Sequence, residues 1–336
     1  MSSKYLVSAL GNAIVDILIL IDDNFLIENS ITKGSMTLID KVTAEKLSLL
    51  EYQKISAGGS ACNSVAAISA LGTKCSFTGK IGKGQFGKIF SKNLSEINCD
   101  FNAQYSDLNN STSKSFILVS KEDGERTMLT YLGESSELED IHNQEIINNS
   151  EIIYIEGYLW DKENTISILE NITEEAKNNR KITAFTLSDS FCVSRHKESF
   201  LKLIKNIDIL FANEDEIKIL TDITGAILEH YKYDNIFKIN PNIKIIVTMA
   251  ANGSAVITKD NLQHIKTSKI DNITDSTGAG DAFAAGFLFS LSNHLNLEES
   301  AKIGNLLASK IIQKIGARFN NEDINEIQKE LCQFGV

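Results

Sequence analysis

The sequence predicts an α/β fold in three layers, a mostly parallel sheet between two layers of helices, with two insertions whose strands can pair into a small second sheet. Three observations carry this. Short apolar runs rich in β-branched residues alternate with amphipathic stretches at a repeat of roughly 30 residues, the βαβ pattern of a parallel sheet covered on both faces. Two regions, Ile14 to Asp40 and Ser111 to Leu132, break that rhythm with strand and turn patterns and no intervening helix. No internal repeat, low-complexity tract or long linker divides the 336 residues, and the single proline, Pro241, leaves no proline-rich hinge.

Taken in order, Tyr5 to Leu10 is the first strand, and the first insertion follows with a strand at Ser35 to Ile39. Ser60 to Leu71 reads as a helix opened by Gly58-Gly59 and stopped by Gly72. Ser76 to Lys80 returns to the main sheet, and the second insertion supplies strands at Ser115 to Val119 and Arg126 to Tyr131. Beyond it, strands at Ile152 to Glu156, Ile182 to Leu187, Ile207 to Ala212, Ile243 to Met249 and Ala255 to Thr258 follow. Helical stretches at Thr165 to Lys177, Lys197 to Lys205 and Glu214 to Leu220 lie between several of them. The expected division is a core of residues 1–13, 41–110 and 133–336 and a discontinuous β unit of residues 14–40 and 111–132.

Composition bounds the function. Hydrophobic residues make up 43% and charged residues 23%, ordinary for a globular enzyme. A net charge of −11 with no long basic run argues against nucleic-acid binding. No apolar run approaches the ~20 residues needed to span a bilayer. The run Ile14 to Ile21 is short and broken by Asp16, and no secretory signal pattern is present. Five scattered cysteines without a CxxC pair imply neither a disulfide framework nor a zinc site, so a reducing cytoplasm is the expected location. The five histidines show no metal-ligand spacing.

The chemistry concentrates in Asp275-Ser276-Thr277-Gly278-Ala279-Gly280-Asp281, which runs into the apolar stretch Ala282 to Leu291. It reads as a glycine turn opening a helix. Gly278 and Gly280 let a ligand approach the backbone, and the first N–H groups of the helix favour an anion. Asp281, a second anion at that place, makes sense as a base beside developing phosphoryl charge. The positive end of the helix is expected to favour its ionised form.

DSTGAGDAF resembles the signature near the C-terminus of the phosphofructokinase-B, or ribokinase-like, carbohydrate kinases. The resemblance implies that the Gly278, Ala279 and Gly280 amides form an anion hole and that Asp281 deprotonates the acceptor hydroxyl. It also implies a lid built from insertions in similar places. Gly11-Asn12-Ala13-Ile14-Val15-Asp16 follows the first strand, and its buried acid needs donors. Backbone amides would serve, as would the vicinal hydroxyls of a sugar, and the family places an Asp there on the sugar. Gly58-Gly59-Ser60-Ala61-Cys62-Asn63 resembles the family's first glycine motif, implying Asn12, Asp16, Gly58, Gly59 and Asn63 as substrate-binding residues. Gly79 to Gly87 continues that motif, but Gly84 stands where the family usually has Asp.

Asn213-Glu214-Asp215-Glu216 is explained by helix capping alone. It also matches the family's NxxE, which implies that Asn213 and Glu216 organise Mg2+ through water near the ATP phosphates. Thr248 to Gly253 is either a plain hairpin turn or an ATP contact through Thr248 and Gly253, and Ala250 stands where the family often has glycine. Asp123 to Met128, Glu156 to Asp161, Gly304-Asn305-Leu306 and Ile315-Gly316-Ala317-Arg318 resemble bacterial adenosine-kinase-like members. They imply a lid Arg126 that reaches substrate or phosphate and an Asn305 near ATP. Tyr158 or Trp160 is open to a purine, though core packing suits a lone Trp better. Asp275 and Thr277 are the positions for a monovalent cation such as K+. The expected partners are small molecules, with monomer and homodimer both open. The expected reaction is transfer of the ATP γ-phosphate to a ribosyl hydroxyl, with adenosine foremost, a free-sugar kinase next, and a non-catalytic nucleoside sensor as a third reading.

Overall fold

The computed structural model describes residues 3–107, 112–139, 143–270 and 272–336. Ser111, the first residue of the second expected insertion, lies outside them, as do residues 108–110 at the end of the preceding core segment. Two sheets organise the chain. The strands in chain order are β1 (Tyr5–Leu10), β2 (Ile14–Ile21), β3 (Met36–Leu38), β4 (Lys54–Gly58), β5 (Cys75–Gly82), β6 (Cys99–Ser106), β7 (Ser113–Ser120) and β8 (Arg126–Tyr131). They continue with β9 (Ser150–Glu156), β10 (Ile182–Thr186), β11 (Ile209–Asn213), β12 (Lys244–Thr248), β13 (Ser254–Thr258) and β14 (Asn261–Ile265).

The larger sheet has nine strands in the order β14-β13-β12-β11-β10-β9-β1-β5-β6. It is parallel from β6 to β12, and β13 and β14 add antiparallel at one edge. All six residues of β1 are buried, as expected for a central strand covered on both faces. The edge strand β6, Cys99-Asp-Phe-Asn-Ala-Gln-Tyr-Ser106, and the edge strand β14 escape a search for apolar runs because polar residues alternate along them.

The smaller sheet has the order β3-β8-β7-β2-β4. It differs from the expected insertions in two ways. The segment 14–40 contains a short helix, Asp23–Glu28, and the sheet takes in β4, well past Asp40. Strand register assigns one face of this sheet to Asp16, Leu18 and Leu20 of β2, Ser115 and Ile117 of β7, Arg126 and Met128 of β8, and Met36 and Leu38 of β3.

The chain crosses between the sheets at two places that lie against each other. One is Gly11–Ala13, from β1 to β2, and the other is Gly58-Gly59, from β4 into the helix Ser60–Ala70. Gly59 has φ +96°, and a Cβ there would meet the Asn12 carbonyl oxygen at 2.2 Å, so neither the backbone angle nor the space admits a side chain.

Candidate active site

The two crossings end at the carboxyl edge of the parallel strands, where open α/β sheets bind ligands. They are joined by a residue that the sequence motifs did not mark as functional. Glu156, at the end of β9 and fully buried, accepts from the Asn12 backbone N–H at 2.7 Å and from the Ala61 N–H at 2.8 Å. Burial pushes its pKa up to about 7, the two amides oppose that rise, and the Asp281 charge adds to it. Asn12 itself is buried, its side-chain oxygen accepting from Ser135 Oγ at 2.8 Å. Asp16 lies with its carboxylate against Gly58, where a Cβ would meet Oδ2 at 2.2 Å. No hydrogen bond to the Asp16 carboxylate is found among the described residues, and burial raises its pKa to about 7 against the pull of Arg318, with Asp281 adding to the rise.

The loop before the helix Ala279–Ser292 brings Asp281 to the same place. Asp281 Oδ1 accepts from Ser60 Oγ at 2.6 Å, and Oδ2 accepts from Asn63 Nδ2 at 3.0 Å. Two helix starts therefore converge on one carboxylate. Its pKa is pushed up to about 6 by burial, while the Ser60 and Asn63 bonds and the Arg318 charge pull it down. Burial thus works against the ionised form that the helix start favours, and a carboxyl with a pKa of about 6 is still mostly ionised at neutral pH.

The anion hole is narrower than the motif implies. The Ala279 N–H donates to the Ser276 carbonyl at 3.2 Å and is used within the turn. The N–H groups of Gly278 and Gly280 have no acceptor among the described residues. Gly278 takes φ +76° at the helix cap, with Ala317 packed where a side chain would go, whereas Gly280 faces open space. The wall behind is fixed, because Gly286 of this helix sits directly on the Ile303 carbonyl of the helix Leu297–Ile311.

Arg126, from the lid face that carries Asp16, forms an ion pair with Asp275. Asp275 also accepts from the Thr277 N–H and Oγ1 and from the Gly316 N–H. Four donors, one of them a guanidinium, therefore occupy the Asp275 carboxylate in this arrangement.

Asn213 and Glu216 form a closed capping box at the helix Glu214–Thr221. Asn213 Oδ1 accepts from the Glu216 N–H, and the Glu216 carboxylate accepts from both the backbone N–H and Nδ2 of Asn213. Burial raises the Glu216 pKa to about 7, Asp189 and Asp215 add to the rise, and no cationic side chain pairs with it among the described residues. Thr248 pairs with Asn213 across β11 and β12. Gly253 packs on Ile265, whose carbonyl accepts from Asn305 Nδ2 at 3.2 Å, so Thr248, Gly253 and Asn305 share one corner.

Both departures from the family pattern have a local meaning. Gly84 is the N-cap of the helix Gln85–Glu96, with no side-chain cap, so the missing acid is a missing cap. Ala250 has φ +46°, a conformation that suits glycine and strains alanine by about 1 kcal/mol. Trp160 is fully buried between Phe185 and Phe200, with Nε1 donating to Ser199 Oγ, and is removed as a purine contact. Tyr158 is held by Ser188. Ser60, Glu156 and Arg318 are the site residues that motif reading left unassigned.

Comparison with known proteins agrees with this geometry. The family model described as "pfkB family carbohydrate kinase" matches residues 30–324. Adenosine kinase 2 of Arabidopsis thaliana is 24% identical over 347 residues, covering 95% of this chain and 97% of that protein. The crystal structure of adenosine kinase from Sinorhizobium meliloti superposes with a TM-score of 0.83 at 34% identity, covering 98% of this chain and all of that one. A probable sugar kinase from Rhizobium etli CFN 42 gives 0.83 at 33% identity, with 98% and 99% covered. With a glycine-capped anion site, a carboxylate beside it and a family match over most of its length, this chain belongs to the pfkB family of carbohydrate kinases, enzymes that transfer phosphate from ATP.

Proposed function

We propose that the protein transfers the γ-phosphate of ATP to the 5′-hydroxyl of adenosine, giving AMP. The observation that carries the choice of a nucleoside is the composition of the lid face above the carboxylates. The face bearing Asp16 and Arg126 also presents Leu20, Met36 and Leu38, which are 42%, 50% and 57% exposed. Such a surface suits a flat, weakly polar heterocycle and has no use for a free pentose. Similarity to the proteins called adenosine kinases supports the same reading.

Asp16 and Asn63, with Asn12, Gly58 and Gly59 shaping the wall, hold the ribose hydroxyls. Asp281 accepts the 5′-hydroxyl proton as the oxygen attacks the γ-phosphorus, and the ADP oxygen leaves in line. The transition state is loose, so alignment and charge neutralisation do most of the work. The Gly278 and Gly280 amides receive phosphate oxygens, and Thr248, Gly253 and Asn305 border the rest of ATP. Arg126 exchanges Asp275 for phosphate as the lid closes. Glu216, a buried carboxylate without a cationic partner among the described residues, fits with Asn213 a magnesium ion held through its waters, which when bound neutralises phosphate charge.

A kinase for a free sugar is the second reading, favoured by the similarity to the Rhizobium etli protein. A coupled ADP-release assay on adenosine, guanosine, inosine, ribose and fructose separates them. Adenosine is expected to give the highest kcat/KM, with ribose far behind, because the base adds buried apolar contact. Equal or better turnover of ribose or a hexose overturns the nucleoside assignment.

A further inference from the structure

Whereas Arg126 pairs with Asp275, the cation beside Asp281 and Asp16 arrives from the far end of the chain. Arg318 Nε donates to Asn63 Oδ1 at 3.0 Å, Nη2 donates to the Ala57 carbonyl at 2.9 Å, and Nη2 also lies 3.2 Å from Cys62 Sγ. One side chain thus touches lid strand β4 and the first turn of the helix Ser60–Ala70. The bond to Asn63 has a directional consequence. With its oxygen held by a guanidinium that only donates, the amide must turn its NH2 toward Asp281, where Nδ2 to Oδ2 is 3.0 Å. Released, the amide has no reason to hold that orientation, and its oxygen would repel the carboxylate.

We propose that Arg318 is a positioning residue that locks the Asn63 amide toward Asp281 and places a positive charge beside the carboxylates of Asp281 and Asp16. It acts through Asn63 and through the field, touching neither the reacting hydroxyl nor the phosphate. The groups facing Asp281 are Ser60, Asn63 and Arg318, with the charge of Asp281 also felt by Asp16 on β2 and by Tyr154, Glu156 and Tyr158 on and after β9. Only Arg318 among them is cationic. Its charge opposes protonation of both Asp16 and Asp281.

The inference rests on Asp281 being the base, and the test separates the two. Carboxyl 13C NMR of Asp-labelled protein follows the titration of Asp281 directly, with Asp281→Asn as the assignment control, so the readout does not depend on turnover. In Arg318→Gln the Asp281 midpoint is expected to rise by about one pH unit. The kcat of that variant should then fall about tenfold further below pH 6 than above pH 8. Arg318→Lys restores the charge without the planar fork. Its midpoint should return near wild type, while loss of the fork that holds the Asn63 amide should raise the nucleoside KM. Because Arg318 acts through Asn63, the losses from Arg318→Gln and Asn63→Ala should be strongly non-additive in the double variant. An unmoved Asp281 midpoint in folded Arg318→Gln, or additive losses, overturns the proposal and leaves Arg318 a strut between lid and core. If Arg318→Gln does not fold, Arg318→Lys decides: a wild-type KM with losses additive to those of Asn63→Ala overturns the proposal equally. Turnover by Asp281→Asn near the wild-type rate would instead remove the base assignment while the NMR result still judges Arg318.

Discussion

Two helix starts in this protein handle the same electrostatic problem in opposite ways. The helix Glu214–Thr221 closes its own end: Asn213 and Glu216 satisfy each other's backbone N–H groups in a reciprocal box. The helix Ala279–Ser292 is capped by Gly278, without a side-chain cap, and the Gly278 and Gly280 amides stay unpaired among the described residues. A helix end left open costs stability, since each orphan donor must find water or a ligand. The first end is built to hold itself together and can offer only its carboxylate to a hydrated cation. The second is built to be completed by something anionic. Placed beside the open end, Asp281 is the charge that would be hardest to justify as structure alone.

The largest test of that contrast is Asp281→Asn, which keeps volume and turn while removing the base. We expect kcat to fall by about 10²–10⁴ with substrate dissociation constants little changed, because general-base help arises in the transition state. Single-turnover kinetics decide it, and a rate within a factor of a few of wild type reduces Asp281 to a helix-start acid. Next comes Gly280→Ala. Nothing lies within 4 Å of a Cβ there, so the fold should gain slightly from a better helix former. The methyl nevertheless crowds the approach of phosphate, and kcat/KM for ATP is expected to drop by about 10- to 100-fold. A variant that is more stable and less active would mark the open end as functional, whereas unchanged ATP kinetics would close it.

The self-satisfied end gives a smaller effect of another kind. Asn213→Ala should cost about 1 kcal/mol of stability, read from urea denaturation, since a capping residue is lost. A raised magnesium requirement in the same variant would show that the box serves both purposes. Smallest is a pH effect on the ligand-free protein. Asp16, Asp281, Glu156 and Glu216 all have pKa values raised by burial, to about 7, 6, 7 and 7. Between the unfolded carboxyl values near about 4 and these, the native state holds protons that the unfolded chain has released. Stability from these groups is therefore present at low pH and lost as pH rises toward 7. Scanning calorimetry should show Tm falling by a few degrees, on the order of 2–5 °C, from pH 5 to pH 8. A Tm that is flat or rising over this range would contradict the burial of these groups.

The parts of the fold legible in the sequence are those written locally. Strand β1, the glycine turn at Gly278 and the Gly58-Gly59 entry to the helix announce themselves through apolar runs and residues that only one backbone geometry explains. Edge strands β6 and β14 do not, because their solvent-facing positions are polar and a window sees alternation too weak to separate from a loop. β4 was hidden for a different reason: Lys54–Gly58 is five residues long, and its membership of the lid depends on pairing with β2. In the site, Asp281 and Asn63 are visible in their motifs. Ser60, Glu156 and Arg318 lie within motif stretches, but their roles depend on partners distant in sequence that the motifs do not name. The engaged Ala279 amide is likewise a fact of turn geometry and not of residue type.

That separation in sequence has a consequence for the order in which the protein is made. The bond from Ser60 to Asp281 spans 221 residues, that from Arg318 to Asn63 spans 255, and that from Asn12 to Glu156 spans 144. Contacts of such long range close large loops and form slowly compared with local ones. A nascent chain that has reached β14 can assemble much of both sheets and every element of the lid, yet its sugar-side wall faces an empty place where the helix Ala279–Ser292 will dock. The proposed site is therefore complete only when the last third of the chain has folded onto the first. A chain halted at that point would carry its lid strands but lack Asp281 and the glycine cap beside it.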